Sequence, residues 1–454
     1  MQLTEKPSLN HALLISICTP QFKGDEATES LAELARLVTT LGFKVVGTQS
    51  QKQSSTKRVN VLGLGKLAEI AHLTGNQGVV EESEDGESVE GISDDELTDS
   101  MNFSEIPSDN LAFGCADVVV FDCDLTPSQL RNVENQLGVE VFDRTGIIIE
   151  IFSRHARTKT AKLQVEIARL NYVAPRLRES SCGDKERQMG KGAGETTLEL
   201  NRRKVRDQLA ELKRDLVSVQ DEMKGRRTQR SELFCVALVG YTNAGKSSMM
   251  RAITGSDVAG ENKLFATLDT TVRALHPATQ PRILVSDTVG FIKKLPHDLV
   301  ASFHSTLAEA HDASLLLYVV DASDPSFRSQ LGVVHEVLEE VGVENSKKLL
   351  VLNKSDQLGK EQQQALMKEF PDAMMTSTRN PADISKLHKY IVDVAQQEMI
   401  EEEVIIPYTA KGIIGEIRSS MSVTKEDYEY SHIKLTVRSN AIELARLKKR
   451  MLNL

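Results

Sequence analysis

Five cysteines in 454 residues are too few and too scattered for a disulfide framework or a zinc site. Cys18, Cys115, Cys123, Cys182 and Cys235 lack metal-ligand spacing and read as small buried or incidental thiols in a reducing compartment. No stretch of about 18 apolar residues is present, which argues against a membrane-spanning helix. No early apolar run resembles a signal peptide, so a cytoplasmic location without stable membrane insertion is expected. Aromatics are 4% of the chain and few lie in the basic stretch Arg154–Arg230, Tyr172 among them. Polyanion recognition there would therefore rest on phosphate and shape contacts rather than base stacking.

Charge is abundant but segregated. Val79–Asn110 carries twelve acidic residues and no Lys or Arg, and removing it turns the net charge from −10 to +2. Such a composition cannot bury a core and reads as a disordered insertion. Arg154–Arg230 carries twenty Lys/Arg against eleven Asp/Glu, a candidate polyanion-binding surface.

The most informative stretch is Leu238–Met249, LVGYTNAGKSSM. Gly240, Tyr241, Thr242, Asn243, Ala244, Gly245, Lys246 and Ser247 form a Gly-x-x-x-x-Gly-Lys-Ser loop, followed by Ser248. It lies between an apolar strand, Leu233–Val239, and a helix, Ser247–Thr254. Such a loop turns backbone N–H groups onto phosphates at a helix N-terminus, with Lys246 on the outer phosphates and Ser247 on Mg²⁺.

Further motifs identify the base. Val351–Asp356, VLNKSD, ends an apolar strand in Asn-Lys-x-Asp. The Asp356 carboxylate can accept two N–H bonds from the guanine edge, whereas adenine would leave a buried charge unpaired. Asn353 would tie this loop to the phosphate loop, the stem of Lys354 would cover the ring, and Ser355 lies between. Ser377 and Thr378, before Arg379, are placed to offer a backbone N–H to the base. Between the two ends, ILVSDTVG runs into Asp287, Thr288, Val289 and Gly290. Asp287 would hold a Mg²⁺-bound water and Gly290 would sense the γ-phosphate. Phe265, Ala266, Thr267 and Leu268 open a polar loop able to close over the metal; by residue type, Thr267, Thr270 and Thr271 are equal candidates. The expected ligands are GTP or GDP with Mg²⁺. Phe291 follows Gly290 where many such switches carry a water-orienting Gln, so intrinsic hydrolysis should be slow. Asn243 either helps bind K⁺ between the phosphates or merely stabilises the loop.

The length predicts two to four domains. The fold class expected is α/β, with four parts. Residues 1–152 form an N-terminal α/β domain, with strands His11–Ile17, Lys44–Gly47, Asp117–Asp122 and Gly146–Ile151 and helices Ala27–Leu41 and Pro127–Leu137. Its Gly63-Leu64-Gly65-Lys66 is too short for a phosphate loop and reads as a turn into a helix, with an ATP site as the alternative. Residues 153–231 form an antiparallel helical hairpin with a Gly-rich tip, Gly183–Glu195. Its seams are Leu163, Ile167, Leu170 and Ala174, then Val205, Leu209, Leu212, Leu216, Val219 and Met223. Residues 232–398 form the phosphate-loop domain with a mostly parallel sheet. Residues 399–454, after the acidic run Glu398–Glu403, form a small α/β domain with strands Ile405–Tyr408 and Ile433–Val437 and helix Ala441–Leu452.

These segments together resemble the HflX family of ribosome-associated GTPases over nearly the whole chain. Carrying the resemblance are GLGK at Gly63–Lys66, ADVVVFDCDLTPSQLRNV at Ala116–Val133 and FDRTGIIIEIF at Phe142–Phe152. ARTKTAKLQVEIARLNYVAPRL at Ala156–Leu177, GAGETTLELNRR at Gly192–Arg203, FATLDTTVR at Phe265–Arg273 and DTVGFIKKLPHDL at Asp287–Leu299 complete it, with the phosphate loop. The resemblance implies a monomeric GTPase that binds the large ribosomal subunit and its rRNA in the GTP state and splits or rescues ribosomes under stress. It makes Thr267 the Mg²⁺-ligating switch threonine and, with Lys246 and Gly290, part of the catalytic set. The alternatives are a role in large-subunit assembly, or an RNA-binding scaffold whose GTP site is structural. Departures are Asp184, Lys185 and Glu186 among the tip glycines, Leu268-Asp269-Thr270-Thr271-Val272, which loses a proline from the family's Leu-Asp-Pro-Thr-Thr, and Thr378 in place of Ala.

Overall fold

The computed structural model describes residues 11–19, 24–53, 61–76, 116–179, 197–230, 233–255, 264–265, 270–294, 309–343 and 347–451. They cluster into two compact units, one from 1–154 with 162–213, the other from 155–161 with 214–454.

The first unit contains a four-stranded parallel sheet in the order β2-β1-β3-β4. Its strands are β1 (His11–Cys18), β2 (Lys44–Lys52), β3 (Val118–Phe121) and β4 (Glu140–Asp143). Helices α1 (Gly24–Thr40), α2 (Leu64–Thr74), α3 (Pro127–Leu137) and α4 (Arg144–His155) connect and extend it. Helix α3 starts where local chemistry requires: Thr126 and Gln129 form a reciprocal capping box, Pro127 takes the first turn, and Gly138 closes the helix in a left-handed conformation. A core including Leu13, Ile15, Leu67, Ile70, Val119 and Phe121 lies on one face of the sheet.

Gly146–Ile151, expected as a strand, is the body of helix α4. The run buries Ile147, Ile148, Ile149 and Ile151 around much of the helix, a pattern that periodicity cannot distinguish from a buried strand. The Asp143 carboxylate accepts the Gly146 N–H at 2.7 Å, as an N-cap residue does, and starts the helix immediately after β4.

Helices α5 (Lys159–Glu179) and α6 (Thr197–Arg230) fall where the periodicity predicts helices. On α6, Val205, Leu209, Leu212, Leu216 and Val219 are shielded, with Gln220 beside them, on an otherwise exposed surface among the positions whose burial is described, which do not include Met223. Helix α5 departs from its expected stripe. Gln164, Val165 and Ala168 are buried beside Ile167, while Leu163 and Leu170 are only half-buried. Further along the helix, Tyr172 and Arg176 both reach Asp143 at the end of β4. The tip Gly183–Glu195 and the acidic stretch Val79–Asn110 lie outside the described residues.

The second unit holds a six-stranded sheet in the order β10-β9-β8-β5-β7-β6, parallel except where β6 meets β7. Its strands are β5 (Phe234–Val239), β6 (Thr271–Ala274), β7 (Ile283–Asp287), β8 (Leu315–Asp321), β9 (Lys347–Asn353) and β10 (Met374–Met375). Helices α7 (Lys246–Thr254), α8 (Phe327–Glu340), α9 (Lys360–Glu369) and α10 (Pro381–Gln397) accompany it. The central strands are apolar runs buried on both faces, as a parallel sheet sandwiched between helices requires.

An antiparallel sheet, β11-β13-β12, follows: β11 (Ile400–Pro407), β12 (Ser422–Tyr428) and β13 (His432–Ser439). Helices α11 (Lys411–Ser420) and α12 (Ala441–Met451) supply apolar side chains to its core. The acidic residues Glu401–Glu403 are part of β11, which starts earlier than expected. Arg438 and Lys434 pair across the strands with Glu401 and Glu403. Among the described residues no helix is long and apolar enough to cross a membrane.

Candidate nucleotide site

The site lies at the carboxyl ends of the parallel strands β5, β7, β8 and β9, where open α/β sheets bind ligands. The chain leaves β5 at Gly240, where a Cβ would stand 2.1 Å from the Val319 carbonyl oxygen of β8. No larger residue fits so close to a neighbouring strand. At the other end of the loop Gly245 has φ +96°, and a Cβ there would stand 2.2 Å from Asn353 Nδ2. Helix α7 begins at the next residue, with its N-terminal N–H groups at the loop.

Lys246 is buried, and its ammonium donates to the Gly240 and Tyr241 carbonyls at 2.9 and 2.7 Å. Burial pulls its pKa down to about 8, against the opposing charge of Asp287. The Ser247 hydroxyl donates to Asp287 Oδ2 at 2.8 Å, joining the loop to the end of β7. Ser248 is half-buried, Ala244 buried, and Asn243 exposed with φ +61°. Thr288 donates to the Leu238 carbonyl at 2.7 Å, and Val289 is buried.

The segment after Asp287 crosses the phosphate loop. A Cβ on Gly290 would come within 2.8 Å of Thr242 Cγ2 and 3.1 Å of Lys246 Nζ, so this turn lies against the lysine. The Thr242 N–H donates to the Phe291 carbonyl at 2.8 Å, and the Phe291 N–H to the Gly240 carbonyl at 3.2 Å. The Lys293 N–H donates to the Tyr241 hydroxyl at 2.6 Å. Phe291 is 3% exposed, which places an apolar ring inside the protein where a water-orienting amide was sought. Phe265 is buried with φ +57°; Ala266, Thr267 and Leu268 lie outside the described residues.

At the other end, Asn353 is buried and its Nδ2 donates to the Ala244 carbonyl at 2.8 Å, the link between the two loops that the sequence predicts. Lys354 adopts a left-handed conformation and donates to Asp321 Oδ2 at 2.6 Å. The buried Ser355 donates its N–H to the Thr376 carbonyl. Asp356 Oδ1 accepts the Ser377 hydroxyl at 2.7 Å, and the exposed Arg379 approaches Oδ2 at 3.4 Å. Of the pair Ser377 and Thr378, the Ser377 N–H donates to Asp383 at 3.1 Å, which leaves the Thr378 N–H as the candidate donor to the base. Thr378 is half-buried beside Ser377. Sequence reasoning missed Asp321, Asp383, the Ser377 hydroxyl and the Tyr241–Lys293 link. Only Asp321 left a signal, an acid ending the apolar run LLLYVVD.

A hydroxyl and a carboxylate in contact, Ser247 and Asp287, are the hard oxygen groups that Mg²⁺ selects. Among the described residues no group of three or more His, Cys, Asp and Glu could hold a metal.

Three family models match the chain. One described as GTP-binding GTPase N-terminal covers 28–84 and 103–153, GTP-binding GTPase Middle Region covers 155–230, and 50S ribosome-binding GTPase covers 235–354. The GTPase HflX of Gluconacetobacter diazotrophicus is 52% identical over 450 residues, 98% of each chain. The GTPase HflX of Escherichia coli is 37% identical over 343 residues, 74% of this chain and 80% of that protein. Among solved structures, a GTP-binding protein from Sulfolobus solfataricus in complex with GDP covers 86% of this chain and 99% of its own, at 23% identity and a TM-score of 0.42.

Proposed function

Because this chain belongs to the HflX family of GTPases, we propose that it hydrolyses GTP as a switch controlling its binding to the large ribosomal subunit. The observation that carries the nucleotide reading is the Asn353–Ala244 bond. It fixes the base-reading loop to the phosphate loop, so a single ligand must satisfy both ends. In this reading Lys246 neutralises the outer phosphates, Gly290 offers its N–H to the γ-phosphate, and Asp356 accepts the guanine edge. Mg²⁺ would be held by Ser247 and Thr267, and by Asp287 through water, supplying positive charge to the phosphates. Asn243, exposed at the loop, keeps a K⁺ contact available; equal hydrolysis rates in Na⁺ and K⁺ would remove it.

The buried Phe291 ring cannot orient a water, so turnover depends on a group supplied by the partner, a contribution of about 10³–10⁵ in this reaction class. The partner reading is supported by the exposed Arg202, Arg203, Lys204, Arg206, Lys213 and Arg214 of α6, and by the family model described as ribosome-binding. On that basis residues 153–231 form the rRNA-contacting prong, 1–152 and 399–454 flank it and the 232–398 GTPase domain, and the protein works as a cytoplasmic monomer.

Coupling is reciprocal: if GTP strengthens subunit binding, the subunit strengthens GTP binding by the same factor. Sedimentation with purified large subunits should show more protein pelleting with a non-hydrolysable GTP analogue than with GDP. Equal pelleting in both states would defeat the proposal. Light scattering from assembled ribosomes, which falls only if they dissociate, separates ribosome splitting from subunit assembly.

A further inference from the structure

We propose that Asp321, a residue outside every nucleotide motif of the chain, positions Lys354 for guanine recognition. The proposal rests on reading Asn353–Asp356 as the guanine loop. Asp321 ends β8 directly opposite Asn353 on β9, so the sheet itself brings its carboxylate beneath that loop. Oδ2 accepts the Lys354 ammonium at 2.6 Å, with the two side chains only 15% and 23% exposed. Oδ1 accepts the Ser323 N–H at 3.1 Å and the Ser323 hydroxyl at 2.5 Å. The hydroxyl also lies 3.1 Å from the Gln357 side-chain amide, one residue beyond Asp356. The carboxylate is thus held by three donors, and its network grips both sides of the base-reading turn.

This arrangement differs from an exposed ion pair, which contributes little because two flexible side chains must be ordered in water. Here the acceptor is fixed by backbone and hydroxyl donors before the lysine arrives. A free lysine side chain has many rotamers to lose on ordering. With the head anchored, the four-carbon stem is ordered in advance, which lowers the ordering cost of binding a purine against it. The anchor also holds Lys354 in its left-handed conformation, φ +59°, which is unfavourable for a side chain with a Cβ.

The test is steady-state kinetics of the full-length chain with Asp321→Asn, which keeps volume and an acceptor oxygen but removes the charge. KM for GTP should rise by about tenfold with kcat within about twofold, because stem contacts are the same in ground and transition states. Inosine triphosphate should lose affinity by the same factor, since the stem covers the ring and does not read its edge. Lys354→Met, which keeps the stem and drops the ammonium, completes a double-mutant cycle. In that background Asp321→Asn should have no further effect. Equal losses in both backgrounds would make Asp321 a support of the fold and overturn the proposal, as would an unchanged KM in the single variant. Wild-type protein that neither binds nor hydrolyses GTP would instead remove the guanine-loop reading itself.

Discussion

The chain contains two α/β sheets, one parallel and one mostly parallel, each with a glycine-and-lysine turn entering a helix, and they treat that turn differently. In the nucleotide sheet, Gly240 and Gly245 are required by neighbouring atoms, at 2.1 and 2.2 Å from an added Cβ, and Lys246 is buried against loop carbonyls. In the N-terminal sheet, a Cβ on Gly65 would meet nothing within 4 Å. Lys66 is bound to Gln49 and Glu69 at 2.6 and 2.8 Å. The buried charges of that sheet satisfy one another: Arg144 bonds to both Glu33 and Asp122, and Asp143 is met by Arg176, Tyr172 and two backbone N–H groups. The two turns thus differ in how tightly Gly240 and Gly245, against Gly65, are packed, and in whether the lysine is buried against loop carbonyls or paired with side chains on a more open surface.

The largest effect that would sharpen this contrast is in the self-satisfied sheet. Arg144→Met should cost about 3–5 kcal/mol, because two buried carboxylates lose their common partner. Urea denaturation followed by circular dichroism measures it, and a loss below about 1 kcal/mol would show that the network is not the support described.

Next is Lys246→Ala, expected to lower GTP turnover by about 10²–10³-fold in a colorimetric phosphate assay. The lysine also sets a pH dependence. Its folded pKa of about 8 lies below the unfolded value of about 10.4. Between those values the unfolded chain holds the extra proton, so this group's contribution to stability rises with pH from about 8 and is lowest below it. On the proposed role of the ammonium at the phosphates, affinity should weaken as pH climbs through about 8, with proton uptake visible by calorimetry in buffers of different ionisation enthalpy. A flat profile would exclude Lys246 as the titrating group.

Gly245→Ala should reduce nucleotide affinity by about tenfold or more, through a strained φ and the displaced Asn353 amide. Asp356→Asn should shift preference from guanine towards xanthine nucleotides, since one acceptor becomes a donor; competition binding reads the ratio. The smallest effect is Gly65→Ala, where open space and a helical position predict a gain of up to about 1 kcal/mol in a thermal melt, with GTP turnover unchanged. Loss of turnover there would break the contrast between the two turns.

Much of this was legible along the chain because it depends on neighbours in sequence. The phosphate loop is eight consecutive residues between a strand and a helix, and the capping box of α3 spans four. The α6 seam is a periodicity that shows in its exposure pattern. Gly146–Ile151 reads as a strand but forms a helix, because a β-branched run buried on most sides has no period to detect. The α5 side chains Tyr172 and Arg176 meet Asp143, which stands 29 and 33 residues before them, a pairing no local period reveals.

By itself the sequence determined most of the elements, the guanine-nucleotide motifs and the segregation of charge, since each is written in adjacent residues of defined chemistry. Tertiary structure alone decided which charges are satisfied internally. It put Asp321 under Lys354, laid Phe291 across the phosphate loop, and turned the Ser377 N–H towards Asp383. Those contacts join residues distant along the chain or set the direction of one N–H. Their geometry comes from strand register and loop closure, neither of which local composition encodes.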